Sequence, residues 1–155
     1  MFNMKSCLRT FAVLALCVGV SGACTGAQAA TPMVASGDAH TCALHSAGRV
    51  ACWGANGSGQ LGAGASSAPQ SEAGAVYSLQ ADAFPRDVVG VTDAVALAAY
   101  GDSSCAVLGS GEVRCWGGNS GGQLGTLAIA SSPVPLAVAG VSGAVAVALG
   151  DDHAC

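Results

Sequence analysis

A chain of 155 residues that is 52% apolar, 9% charged and 5% aromatic has ample material for one core, and far fewer charges than the ~25% of an average soluble protein. That balance excludes a charge-driven disordered segment and a coiled coil, both of which need many charged residues. Five Lys+Arg against nine Asp+Glu also exclude a nucleic-acid binder that works by neutralising phosphates.

The chain opens on an export signature. Met1 to Arg9 carries Lys5 and Arg9 and no acid, Phe11 to Val20 is an unbroken apolar stretch, and Ala27-Gln28-Ala29 has the small-x-small form of a signal-peptidase site. Residues 1–29 are therefore read as a signal peptide. The apolar stretch covers only about 15 Å as a helix, half of a bilayer core, so it is too short for a membrane span. Ser21-Gly22-Ala23-Cys24 looks like a bacterial lipobox with Ser where Leu is expected, which leaves a lipid anchor at Cys24 as the alternative to full release. The expected location is exported: secreted, periplasmic or at the cell surface. Without residues 1–29, three arginines face nine acids, and five cysteines remain: Cys42, Cys52, Cys105, Cys115 and Cys155. In an oxidising compartment disulfides are the default for cysteine pairs.

From residue 33 onward the chain repeats itself. Residues 42–62 (CALHSAGRVACWGANGSGQLG) and 105–125 (CAVLGSGEVRCWGGNSGGQLG) are identical at 12 of 21 positions without a gap. A third copy opens at Val147, where VALGDDHAC matches the VASGDAHTC of Val34 to Cys42. The boundaries read as repeat 1 over about 33–62, an insertion over about 63–84, repeat 2 over about 85–125, and the start of repeat 3 over about 133–155. Within each copy the local pattern is strand, short Gly-containing loop, strand. Pairing about Ala47 sets Leu44 opposite Val50 and Cys42 opposite Cys52; the second copy sets Val107 opposite Val113 and Cys105 opposite Cys115. Val88 to Val91 and Val95 to Leu97 read as further strand material, and Leu136 to Leu149, although almost wholly apolar, reads as a buried strand pair with a turn, because Pro and Gly punctuate it. No stretch combines a cap, a 3.6-residue apolar period and a Gly stop. Repeats of this length, built of short strands and Gly-rich turns, mean an all-β radial array such as a β-propeller.

Each copy resembles the repeat of the regulator of chromosome condensation. Gly37, His40, Thr41 and Cys42 lead into Gly48, Val50, Cys52, Trp53, Gly54, Asn56, Gln60, Leu61 and Gly62 on its pattern; the second copy keeps Cys105, Cys115, Trp116, Gly117, Asn119, Gln123, Leu124 and Gly125, with Ser103 in place of the His. The resemblance implies β-propeller blades of four strands, in rings of seven, and it covers residues 30–155. Two repeats and the opening of a third cannot close such a ring, so the chain is expected to be the N-terminal part of a longer propeller, with the partner of Cys155 ten residues further on; assembly from several copies is the alternative. A propeller whose blade faces lack neighbours would expose Val and Leu and associate.

The Cys pairs have two readings: metal ligands aided by His40 and His45, or cross-strand disulfides. Zinc sites use short C-x₂₋₄-C knuckles, whereas these cysteines face each other across hairpins, so the disulfides Cys42–Cys52 and Cys105–Cys115 are expected and no metal. Gly57, Gly59 and Gly62 fit a dinucleotide fingerprint by spacing, but a Gly/Ser/Ala run follows where a helix is required. Trp53, Gly54, Gln60 and Gly62, with Trp116, Gly117, Gln123 and Gly125, read as structural anchors of the repeats, since a Trp at one place in every copy is a packing element. The insertion carries Gln70, Glu72, Tyr77, Gln80 and Asp82 and reads as a surface loop, a candidate interaction loop.

No acid pair stands beside an activated Ser or a Cys–His unit, so no catalytic residue and no cofactor is assigned. The function expected is a non-enzymatic module that binds a protein partner, with no nucleic acid and no membrane span. The resemblance implies partners as different as a small GTPase, chromatin and secreted β-lactamases. An exported propeller enzyme of lyase or glycosidase type is one alternative, which would need inward-facing acids or His at one place in several blades; a truncated chain with no function of its own is the other.

Overall fold

A computed structural model describes residues 30–64 and 81–155. The expected signal peptide, and Gln70, Glu72, Tyr77 and Gln80 of the insertion, lie outside these residues. The described chain forms two four-stranded antiparallel sheets, each a meander of neighbouring strands. The first holds β1 (Met33–Ser36), β2 (His40–Leu44), β3 (Val50–Ala55) and β4 (Ala81–Asp87), and the second β5 (Ala94–Tyr100), β6 (Ser103–Leu108), β7 (Val113–Gly118) and β8 (Ser131–Ala137).

The hairpin register is the one that the loop length dictates. Cys42 pairs with Cys52 and Leu44 with Val50; Cys105 pairs with Cys115 and Val107 with Val113. Both cysteine pairs are disulfide-bonded, with Cα atoms 4.1 Å apart. These side chains are fully buried, so each bridge crosses the middle of its sheet. Gly54 and Gly117 follow the Trp of each copy with φ of 105° and 95°. A Cβ on either would strike the carbonyl of Ala39 or Asp102, so only glycine lets β3 and β7 bend over the preceding turn.

Three expectations are corrected. The stretch read as an inserted loop to residue 84 ends earlier: β4 starts at Ala81, and Asp82 pairs with Gly54. Pro85 does not prevent this, because β4 is outermost and has no further strand to which to donate an N–H. Val88 to Val91 is not a strand but the turn into β5, with Gly90 at φ 72°. Its Val88 and Val91 are buried as plugs between the sheets. Leu136 to Leu149 is not a buried strand pair either. Past the end of β8 it is irregular, with one isolated bridge, Leu149 to Ala154, and Val145 is 86% exposed. The equivalent segment of the previous copy, β5, is a strand because β6 pairs with it along its whole length.

The principal core lies between the sheets. Leu44, Val50 and Leu61 of the first copy, with Val88 of the connecting turn, pack with Leu97, Leu108 and Trp116 of the second. The inner strands β1 and β5 also approach each other directly. Two twisted sheets meeting face to face along a radial seam are adjacent blades of a β-propeller.

Candidate functional site

The recurring residues meet at this seam. The Asn-x-x-Gly-Gln-Leu-Gly turn after β3 is closed from within. Asn56 Oδ1 accepts the Leu61 N–H at 3.2 Å, and Gln60 Oε1 accepts the Ser58 N–H at 2.8 Å. The turn after β7 repeats both bonds, from Leu124 N–H to Asn119 Oδ1 and from Gly121 N–H to Gln123 Oε1, each at 2.9 Å. Asn119 also donates to the carbonyls of Thr126 and Ile129. Such turns carry backbone N–H groups that strands cannot satisfy, and the amide side chains supply the acceptors.

With its oxygen used locally, the Gln60 amide turns its nitrogen to the next blade. Nε2 donates to Asp102 Oδ1 at 2.7 Å, and Ser58 Oγ donates to Oδ2 of the same carboxylate at 3.2 Å. Trp116 reaches back across the seam: it is fully buried, and its Nε1 donates to the Gln60 carbonyl at 2.9 Å. Gly62 lies under the indole, where a Cβ would come within 2.8 Å of Nε1. Gln60, Gly62 and Trp116, expected as anchors one by one, are thus parts of a single inter-blade clasp. Trp53 occupies the equivalent place in the first blade but is only half-buried, because no blade in the described residues packs on that side.

His40 is the second link. Its ring is buried and Nε2 lies 2.8 Å from Ser104 Oγ in β6. Burial lowers its pKa below the ordinary 6.5, against the opposing pull of Asp102 and Asp38, and Nδ1 has no hydrogen-bond partner. Ser103, which replaces the His in the second copy, donates instead to the Gly118 carbonyl at 2.8 Å. Residue spacing did not reveal Ser104 and Asp102 as acceptors of the preceding blade. The clue was that Asp102 stands one place later in its repeat than Asp38.

Asp82, the described residue of the candidate interaction loop, and Tyr100 lie apart from this clasp. Asp82 is ion-paired with Arg86 on the outer strand, which holds its carboxyl below the usual range. Tyr100, at the end of β5, has its pKa raised by hydrogen bonding to Asp151. Among the described residues no three His, Cys, Asp or Glu side chains are grouped to hold a metal ion, and no helix is long and apolar enough to cross a membrane.

The blades and their clasp belong to a known class. Family models described as "Regulator of chromosome condensation (RCC1) repeat" match residues 34–60 and 94–123, and residues 110–155. The chain belongs to this repeat family. Among solved structures it is similar to human WBSCR16 at 25% identity and a TM-score of 0.62, over 78% of this chain and 29% of that one. It is also similar to Prp20p from Saccharomyces cerevisiae at 20% identity and a TM-score of 0.59, over 70% and 26%. A yeast structure of Kap60 bound to RCC1 (Prp20) matches at 20% identity and a TM-score of 0.57, over 71% and 25%. The chain thus spans about a quarter of the length of the structures it matches.

Proposed function

We propose that this chain is an exported sector of a β-propeller that serves as a non-enzymatic protein-interaction module. The observation that carries the reading is the pair of buried disulfides, one across each blade. Such bonds persist in oxidising compartments, which agrees with the signal-peptide pattern of residues 1–29. They hold the blades rigid while the turns between strands stay free to vary, the usual basis of recognition on repeat folds. The yeast relative Prp20p is described by its binding to Gsp1p and histones, and in a second structure it is bound to Kap60. A protein partner is the reading for this chain too, and three arginines outside the leader speak against nucleic acid. Two measurements on material made by an exporting host test this. N-terminal sequencing is expected to find cleavage after Ala29 or, in a lipoprotein, before Cys24. Affinity capture from the extracytoplasmic fraction is expected to retain a stoichiometric protein partner. Uncleaved cytoplasmic protein with free thiols refutes export, and turnover of a polysaccharide by the purified protein refutes the non-enzymatic role.

A further inference from the structure

The two blades are braced differently within and between themselves. Each sheet is held by its own strand ladders and by a buried disulfide. Few backbone bonds run from one sheet to the other; among them are Asp38 N–H to the Gly101 carbonyl and Gly64 N–H to the Pro133 carbonyl, both at 3.0 Å. Inside this seam, among the described residues, His40 is the one buried side chain that titrates near neutral pH. Its surroundings fit the neutral ring. Ser104 Oγ faces Nε2 at 2.8 Å, and Nδ1 has no partner. In an imidazolium both nitrogens donate, yet one acceptor is in reach. Ser104 would have to turn its own hydrogen to the Gln60 carbonyl at 3.4 Å or to Cys42 Sγ at 3.7 Å, and that carbonyl already receives the Trp116 N–H. The charges that face the ring are Asp38, from the β1–β2 turn, and Asp102, from the β5–β6 turn. Strands β1, β3 and β6 carry none, and Tyr100 at the end of β5 is bonded to Asp151. Both carboxylates favour the cation, but Asp102 is engaged by Gln60 and Ser58, and burial outweighs them.

We propose that this seam is an acid-sensitive hinge: protonation of His40 opens the contact between the two blades while each blade keeps its own fold. Opening lets water solvate the second N–H of the imidazolium, which the closed seam leaves without an acceptor. The closed seam holds the ring below its ordinary pKa of 6.5 and the open one restores it, so opening becomes more favourable as pH falls through 6.5. The open state uncovers Leu61 and Trp116, whose side chains are buried between the sheets. The second copy carries no such device, because Ser103 at the His position donates to the Gly118 carbonyl of its own sheet. The inference rests on the geometry of one seam and does not depend on export, on a partner or on how many blades follow.

Amide hydrogen exchange on the full-length, disulfide-intact protein tests this residue by residue, with each rate corrected for the intrinsic pH dependence of exchange. Between about pH 7.5 and pH 5, an open-state His of ordinary pKa limits the rise in the opening constant to about 30-fold. A rise of at least about fivefold is expected for the Asp38 and Gly64 amides, which bond across the seam. Amides of the strand ladders within each blade are expected to keep their protection. His40→Gln offers Ser104 an amide that does not titrate and is expected to remove the rise. A smaller rise at Asp38 and Gly64 overturns the proposal. So does an equal rise in the strand ladders, which would mean that the whole chain unfolds, or an undiminished rise in His40→Gln. If that variant does not fold, the first two comparisons, made on the parent protein, still decide.

Discussion

Replacing Trp116 by Ala strikes the seam at its centre. The side chain is fully buried, and large-to-small substitution of a core Trp costs about 3–5 kcal/mol through lost burial and the cavity left behind. The indole also supplies the hydrogen bond to the Gln60 carbonyl at 2.9 Å. Ser104 Oγ reaches that oxygen only at 3.4 Å, so the deletion leaves the oxygen poorly satisfied, a further penalty of about 1 kcal/mol. The total is about 4–6 kcal/mol, comparable to the whole stability of a marginal domain. Trp116→Phe keeps most of the apolar contact and loses the bond, so a cost of about 1–3 kcal/mol is expected. Trp53→Ala, at the half-buried equivalent position, is expected to cost about 1–2 kcal/mol. Urea unfolding followed by far-ultraviolet circular dichroism measures all three. Equal losses for Trp53→Ala and Trp116→Ala would refute the reading, because they would mean that Trp116 acts within its own sheet and not between blades.

Three further outcomes are expected. Non-reducing peptide mapping should recover Cys42 linked to Cys52 and Cys105 linked to Cys115, and replacing either pair by Ser should cost about 2–3 kcal/mol, the chain-entropy value for such a loop. Gln60→Leu should cost about 1–3 kcal/mol, because the Ser58 N–H and the Asp102 carboxylate lose their amide partner, whereas Asp102→Asn should cost less; similar unfolding midpoints for Gln60→Leu and the parent chain would refute the clasp. The His40 pKa is lowered in the folded chain, so the unfolded chain binds the extra proton first and folding stability falls as pH drops through 6.5. His40→Asn should remove that part of the pH dependence in melting curves from pH 7.5 to 5, and an unchanged slope would show that His40 stays accessible to protons.

How far the sequence could be read depended on whether the information was local. The register of each hairpin was legible because an odd loop about Ala47 or Ser110 leaves one way to align the cysteines and valines. The repeated Trp and Gln were legible as anchors, but their partners were not: Trp116 bonds a carbonyl 56 residues earlier, and Gln60 an acid 42 residues later. Periodicity within one element carries no record of such contacts. Val88 to Val91 misled because β-branched runs suit strands, whereas here Val88 and Val91 serve as plugs between blades. Gly90 was the available warning. The outer strands β4 and β8 were hard to see for the opposite reason: they are mostly exposed, carry Pro85, Pro133 and Pro135, and have no alternation, which an edge strand does not need.

One substitution within the repeats was written in the sequence as a trade. The first copy has Gly37 with His40 and the third has Gly150 with His153, whereas the second has Tyr100 with Ser103. In the first copy a Cβ on Gly37 would lie 2.3 Å from His40 Cε1, and on Gly150 it would lie 2.4 Å from His153 Cε1. The imidazole therefore occupies the space of a side chain three residues earlier, and a small residue at the His position frees that space for a large one. Gly37 does not have a positive φ, so the conflict is steric and not conformational. The Gly101 carbonyl, 2.4 Å from the same Cβ, must also give way, so Gly37→Ala alone should be strongly destabilising, by about 2–4 kcal/mol. His40→Ser alone loses a buried ring and its bond to Ser104. The double variant should recover part of the loss, with a favourable coupling of about 1–2 kcal/mol in a double-mutant cycle. Strictly additive costs would mean that the carbonyl alone forbids the side chain, and that the pairing of Gly with His in two copies has another cause.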